Sequence, residues 1–311
     1  VRAGREVGAA GPAEHQHLPW LGAAQKQDGR RRTRLDRGPV VEHARQPGRD
    51  LGQGSSLRLE AVDLGLAGRT ALVTGGTHGI GLAIARALVG EGARVAVVAR
   101  GEEALRATET ELGVTGVAAD LATEEGCERA FREAAAALGP VDILVNNLGG
   151  RAGTTWADTG VAELEAALTV NLFAAVRMSR QALPGMTARA WGRILVISSI
   201  YGRETGGAPS YNAAKAAEIS FAASLAREVG AKGVLVNSVA PGSILFDGGS
   251  WDRRQKADPE GIAAFVTREL PLHRFGRPEE VAAVVAFLCG ERASLVNGAC
   301  ITVDGGQSRS F

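Results

Sequence analysis

From Arg69 onward the chain alternates between two textures. Short apolar runs rich in β-branched residues recur as RTALVTGG, ARVAVVAR, VTGVAAD, VDILVNN, GRILVISS, GVLVNSVAPG and ACITVDGG. Between them lie longer Ala/Leu/Glu/Arg segments with apolar residues at helical spacing. The short runs are nearly continuously apolar rather than alternating, which marks strands covered on both faces and hence paired in parallel. Strand–helix alternation repeated in this way predicts a single α/β domain built on a doubly wound parallel sheet of Rossmann type. Helices cover both faces, and the crossovers are right-handed. Ligands of such sheets bind beyond the carboxyl ends of the strands, where the strand order reverses.

The first sixty-one residues break this pattern. The stretch GRRRTRLDRGPVVEHARQPGRDLGQGSS carries no helix or strand period and is rich in Arg, Gly, Pro and Gln. Residues 1–61 therefore read as a solvated, disordered tail, or as an upstream extension from a misassigned start with translation beginning near Val62. The segment lacks the apolar centre of a secretory signal, and Glu6, Glu14, Asp28 and Asp36 argue against a transit peptide. An RNA-binding role for the Arg30, Arg31, Arg32 and Arg34 cluster is the less favoured alternative to a solvated tail.

Composition narrows the class. With 311 residues, 45% of them hydrophobic, and a net charge of +1, the chain reads as a soluble globular protein whose overall field favours neither nucleic acid nor membrane. No apolar run approaches the roughly 18 residues of a membrane span. Cys127, Cys289 and Cys300 lie in apolar segments and read as buried thiols of a reducing, cytoplasmic compartment, not as a disulfide framework or a metal site.

The strand ends carry the candidate chemistry. The first closes in TGGTHGIG, where Gly75, Gly79 and Gly81 let the chain turn tightly and admit a phosphate to the backbone, while Thr77, His78 and Ile80 open a helix whose N-terminus favours a diphosphate. The second ends at Ala99-Arg100. A carboxylate there would hold a ribose 2′-hydroxyl; a guanidinium instead suits a 2′-phosphate, so NADP is favoured over NAD. His78 is a weaker second contact to that phosphate. Asp120 and Leu121 end the third strand, placed to meet an adenine edge. Asn146 to Gly150 end the fourth, with Asn147 and Gly149 as candidate cofactor contacts and local turn chemistry as the other reading. Ser198 and Ser199 end the fifth. Tyr211 and Lys215, four apart in SYNAAKAAEIS, share a face of the helix that follows. Asn171 falls on the apolar face of the segment VAELEAALTVNLFAAVRMSRQAL, with Leu164, Leu168 and Ala175. A water, a kink or local satisfaction would account for an amide there.

Together TGxxxGIG, NNLG, the serine after the fifth strand, YxxxK and the Pro241-Gly242 pair after the sixth resemble the short-chain dehydrogenase/reductases, over about residues 66–308. The subgroup resembled is that of 3-oxoacyl-[acyl-carrier-protein] reductases and bacterial glucose 1-dehydrogenases. The resemblance implies a seven-stranded sheet, a homotetramer or homodimer, and a catalytic tetrad of Asn171, Ser199, Tyr211 and Lys215. Residues 62–311 would form the catalytic domain, with Pro241, Gly242 and Ile244 completing the cofactor contacts. A free phenol titrates near pH 10, and an adjacent ammonium favours its ionised form. The tyrosine would exchange a proton with the substrate oxygen, the lysine would also grip the nicotinamide ribose, the serine would stabilise charge on that oxygen, and Asn171 would hold a water.

Three departures from the family pattern stand out. Leu148 replaces the alanine of NNAG. The Ser199–Tyr211 spacing is one residue short, which keeps Ser198 as a second candidate. Phe246 takes the place of a threonine that would bond the nicotinamide amide. Residues from about 243 to 277 read as a lid, with Tyr201, Phe246 and Trp251 as substrate contacts, alongside Ile262 and Phe265, and Arg253 and Arg254 facing an acidic substrate or carrier. The aromatics are also readable as core; the arginines read rather as solvated, and His273, without an obvious partner, as structural. The expected activity is NADP(H)-dependent reduction of a ketone or 3-oxoacyl thioester. The alternatives are a sugar or polyol dehydrogenase, and a non-catalytic cofactor-binding sensor or scaffold. No metal is expected.

Overall fold

The computed structural model describes residues 62–310. The expectations for residues 1–61 concern a segment outside them. Strands β1 (Thr70–Thr74), β2 (Arg94–Ala99), β3 (Thr115–Ala118), β4 (Ile143–Asn146), β5 (Gly192–Ile197), β6 (Val234–Pro241) and β7 (Cys300–Val303) coincide with the seven apolar runs. They form one sheet in the order β3-β2-β1-β4-β5-β6-β7. Every pairing is parallel, as continuous apolarity predicts. The order reverses between β1 and β4, where Val73 lies opposite Val97 on one side and Val145 on the other.

Alternate residues of each strand feed two separate cores. Ala71, Val73, Val95 and Val97 pack with Ile84 and Leu88 of α1 (Gly79–Gly90) and Leu105 of α2 (Glu102–Leu112) on one face. Leu72, Ala96, Val98 and Leu144 pack on the other face with Cys127 and Ala130 of α3 (Glu124–Leu138). Thr123 caps α3 by accepting from the amide of Gly126 at 3.0 Å, satisfying one of the orphan N–H groups of the first turn.

The long helical segment after β4 is not one regular helix. It runs as α4 (Val161–Leu168), a π-helical turn at Thr169–Phe173, and α5 (Ala174–Ala188). The turn falls at Asn171, the polar residue on the apolar face, so the irregularity sits where the sequence asks for one. After β5, Pro209 opens α6 (Pro209–Val229), with its missing N–H at a position that needs none.

Beyond β6 the chain makes an excursion through α7 (Ser250–Ala257) and α8 (Pro259–Glu269) before α9 (Pro278–Cys289) returns to the first core. The two legs of the excursion are tied together. Leu245 donates to Gly276 O at 2.9 Å and Gly276 to Ser243 O at 3.0 Å. Trp251 stacks on Phe265 with ring centroids 4.6 Å apart and tilts against Phe275 at 5.2 Å. The aromatics of the segment thus hold α7 to α8 as a small core of their own.

Candidate active site

At the switch point the ends of β1 and β4 are clamped to each other. Thr74 Oγ1 accepts from the amides of Asn147 at 2.9 Å and Leu148 at 3.0 Å, and Asn147 Nδ2 donates to Thr74 O at 3.0 Å and Gly75 O at 3.1 Å. Leu148 packs beside the second core rather than into the crevice, so the extra bulk relative to alanine is absorbed away from the site. Gly75 and Gly79 adopt φ of +62° and +51°, the left-handed region that glycine enters at no steric cost.

A cavity of about 700 Å³ opens beyond the carboxyl ends of β1, β4, β5 and β6. It brings together His78, Ile80 and Gly81 from the first turn, Asn147 and Gly149 from the second, and Pro241, Gly242 and Ile244 from the end of β6. Ser199, Tyr201, Tyr211, Lys215, Phe246 and Trp251 share it. Gly75, Thr77, Gly79, Arg100, Asp120 and Leu121 are outside its lining. Arg100 is exposed at the end of β2, and the Leu121 side chain is buried in the second core.

Each polar side chain has a structural reason for its place. Ser198 Oγ donates to Lys215 O at 2.8 Å, which commits that hydroxyl to holding α6 on the sheet. Ser199 Oγ accepts from the amide of Tyr201 at 3.2 Å, leaving its proton to give. Asn171 is drawn in by the π turn: its Nδ2 donates to Ala167 O at 2.6 Å and Gly150 O at 2.7 Å, and its Oδ1 accepts from the Gly150 amide at 3.3 Å. It staples the loop after β4 to the helix without lining the cavity.

Lys215 is 3% exposed. Its Nζ donates to Ile197 O at 2.9 Å and to both carboxylate oxygens of Glu218, at 3.1 and 2.9 Å. It lies 5.6 Å from the centroid of the Tyr211 ring. Burial works to lower the ammonium's pKa, but Glu218 and Tyr211 outweigh it and hold the group above the ordinary lysine value. Burial pushes the Tyr201 phenol up, with Arg254 opposing. Glu218 is a partner that the motif search does not single out; its signal is a carboxylate within the small and apolar run AAEISF.

The glycines define what fits. A Cβ on Gly149 would stand 2.7 Å from Asn171 Oδ1 and 3.0 Å from Lys215 Nζ. A Cβ on Gly79 would meet the Phe246 ring at 2.7 Å. His78 makes no side-chain cap to α1, so the first-turn amides are left to an outside acceptor. Uncapped amides and side-chain-free backbone suit the diphosphate of a dinucleotide. Phe246 lies over this turn, edge-on to His78 at 6.0 Å, while His78 Nε2 is 3.0 Å from Asp247 O. The cavity lining holds Arg151, Arg253 and Arg254 and no carboxylate. Among the described residues no cluster of His, Cys, Asp or Glu could hold a metal ion, and no helix is long and apolar enough to cross a membrane.

Residues 75–308 match the family profile described as enoyl-(acyl carrier protein) reductase. The 3-oxoacyl-[acyl-carrier-protein] reductase FabG of Aquifex aeolicus is 39% identical over 254 residues, covering 79% of this chain and 100% of the relative. The acetoacetyl-CoA reductase of Shinella zoogloeoides is 35% identical, covering 77% and 98%. L-Sorbose reductase from Gluconobacter frateurii, solved with NADPH and L-sorbose, superposes with a TM-score of 0.75 at 34% identity, covering 80% of this chain and 100% of that one.

Proposed function

The chain belongs to the short-chain dehydrogenase/reductase family of nicotinamide-dependent oxidoreductases, and from that premise we propose that it is an NADPH-dependent reductase of 3-oxoacyl thioesters or related ketones. The observation that carries the reading is the meeting of Ser199, Tyr211 and Lys215 in one cavity beyond the strand ends. The bound nicotinamide supplies the hydride; the protein supplies position and protons. Ser199 Oγ donates to the carbonyl oxygen as charge gathers there. Tyr211 gives its hydroxyl proton to the same oxygen, and the ammonium of Lys215 steadies the phenolate left behind. Asn171 keeps the loop carrying Gly149 against the lysine. The first turn of α1 holds the diphosphate, and Arg100 meets a 2′-phosphate.

The lining supports an acidic substrate. Arg151, Arg253 and Arg254 face a cavity free of carboxylates, a field that suits the phosphates of a pantetheine thioester. The likeness to L-sorbose reductase favours the second reading, reduction of a ketose. The test is NADPH and NADH oxidation with acetoacetyl-CoA, a diketone and L-sorbose, run on wild type and Tyr211→Phe. The thioester should be turned over fastest. Tyr211→Phe should lose about 10²–10⁴-fold in kcat while still binding NADPH. Near-wild-type turnover in that variant would refute the assignment, and turnover of L-sorbose alone would move it to the second reading.

A further inference from the structure

Helix α6 turns one stripe toward the protein interior: Ser210, Ala214, Lys215, Glu218, Ala222, Ala226 and Val229 are all buried. Apart from Lys215 the stripe is made of small or apolar residues until Glu218 interrupts it. At 1% exposure it is the one buried carboxylate among the described residues. A carboxylate so placed is costly unless it is paired, and both of its oxygens accept from Lys215 Nζ. Glu218 stands two turns along the helix from Tyr211, about 10 Å in rise. The lysine lies between the two.

We propose that Glu218 is a positioning residue of the active site: its carboxylate fixes the Lys215 ammonium against β5 and supplies the counter-charge that lets the cation persist beside Tyr211. This rests on Tyr211 and Lys215 being the reacting pair. The ammonium has three protons. The strand carbonyl of Ile197 and the two oxygens of Glu218 account for its observed contacts. Without Glu218 the amine would keep a single carbonyl acceptor in a fully buried position, where lysines lose their proton readily. The phenol would then ionise next to a neutral amine. The other titratable groups facing the cavity are Tyr201 from the segment after β5, Arg151 from the loop after β4, His78 from the first turn, and Arg253 and Arg254 from α7. All belong to other elements and are unchanged by a substitution at Glu218.

The chain contains two tyrosines, Tyr201 and Tyr211, so the test needs neither substrate nor cofactor. In a Tyr201→Phe background, tyrosinate absorbance reports Tyr211 alone. Adding Glu218→Gln, which keeps the shape and removes the charge, should raise the tyrosinate midpoint by on the order of one pH unit. Glu218→Asp should restore most of the difference. An unchanged midpoint would overturn the proposal. So would a lowered one, which would mean that the carboxylate only dilutes the lysine's charge. Should Glu218→Gln unfold before the phenol titrates, the comparison is Lys215→Met against Lys215→Met with Glu218→Leu, in which the buried pair becomes apolar. Equal midpoints are expected, because Glu218 acts through the lysine; a difference of half a unit or more would overturn that route. Because the titration uses the free protein, its failure is distinguishable from a wrong assignment of the reaction, which only the turnover assay reads.

Discussion

Two glycines of α1 should respond in opposite directions to the same substitution. Gly81 sits where the helix meets the end of β1. A Cβ there would lie 2.9 Å from the carbonyl carbon of Gly75 and closer still to that residue's oxygen and to Asn147 Nδ2. Carbon atoms pack at about 3.5 Å or more, so α1 must retreat from the clamp between β1 and β4 by at least about 0.6 Å. The atoms in the way are mostly backbone and cannot swing aside. Overpacking of this kind costs about 1–3 kcal/mol, or about 2–12 °C in Tm for a domain of this size. Gly90, at the other end of the same helix, has open space around its would-be Cβ and needs no positive φ. Gly90→Ala should therefore gain about 0.4–1 kcal/mol by restricting the unfolded chain, raising Tm by about 1–4 °C. The assay is a thermal scan of each variant, with NADPH fluorescence on the folded protein. Gly81→Ala should also bind NADPH at least tenfold more weakly, because the retreat displaces the uncapped first-turn amides; Gly90→Ala should bind normally. Matching stability and affinity in the two variants would refute the claim that the turn is built on close backbone approach.

Arg100→Asp should exchange the candidate 2′-phosphate contact for one to a ribose hydroxyl, so the ratio of NADPH to NADH kcat/KM should fall at least tenfold; an unchanged ratio would remove Arg100 from the cofactor site. Glu280 joins the end of the excursion to α9. It accepts from Arg274 Nη1 and Nη2 at 2.9 and 2.7 Å and from the Arg277 amide at 2.8 Å, and these bonds pull its carboxyl from the ordinary 4.5 down to about 2. A depressed pKa contributes stability in full above pH 4.5 and loses it as the pH falls toward 2. Glu280→Gln should thus lower Tm at pH 7 by a few degrees, chiefly through the weakened pairing with Arg274, since a glutamine can still accept from the Arg277 amide, and converge on wild type in acid; a constant difference across that window would show that the charge is irrelevant.

What was legible in the sequence depended on local physics. Apolar runs marked all seven strands, most cleanly β1, β4 and β5, which are buried along their whole length and have no polar positions to spare, and least cleanly the half-buried edge strands β3 and β7. The glycine turn and the Tyr211–Lys215 spacing were readable because φ, helix pitch and strand ends are set within a few residues. The direction of Leu148, the closing of the excursion at Leu245 and Gly276, and the packing of Phe246 over the glycine turn were not readable. Each depends on contacts between segments far apart in the chain. The same limit holds for the π turn: VAELEAALTVNLFAAVRMSRQAL reads as a single helix, and the Gly150 backbone that Asn171 bonds from the turn belongs to a separate loop.

Asn171 and Glu218 share a property that the sequence does display. Each places a hydrogen-bonding or charged group on a helix stripe that faces inward and is, apart from Lys215 in α6, made of small or apolar residues. An amphipathic helix chooses its inward face by the phase of its apolar residues, so a polar residue in phase is carried inside with them. It must then find a partner there or cost the fold on the order of 1–3 kcal/mol. Asn171 finds the carbonyls of Ala167 and Gly150, and Glu218 finds Lys215. Neither partner can be named from the pattern, but the obligation to have one can. In α6 that obligation falls one turn beyond the lysine of YxxxK. An in-phase carboxylate at that offset is therefore a sign in the sequence of a buried charge that needs a partner, and the structure supplies it in the Lys215 ammonium.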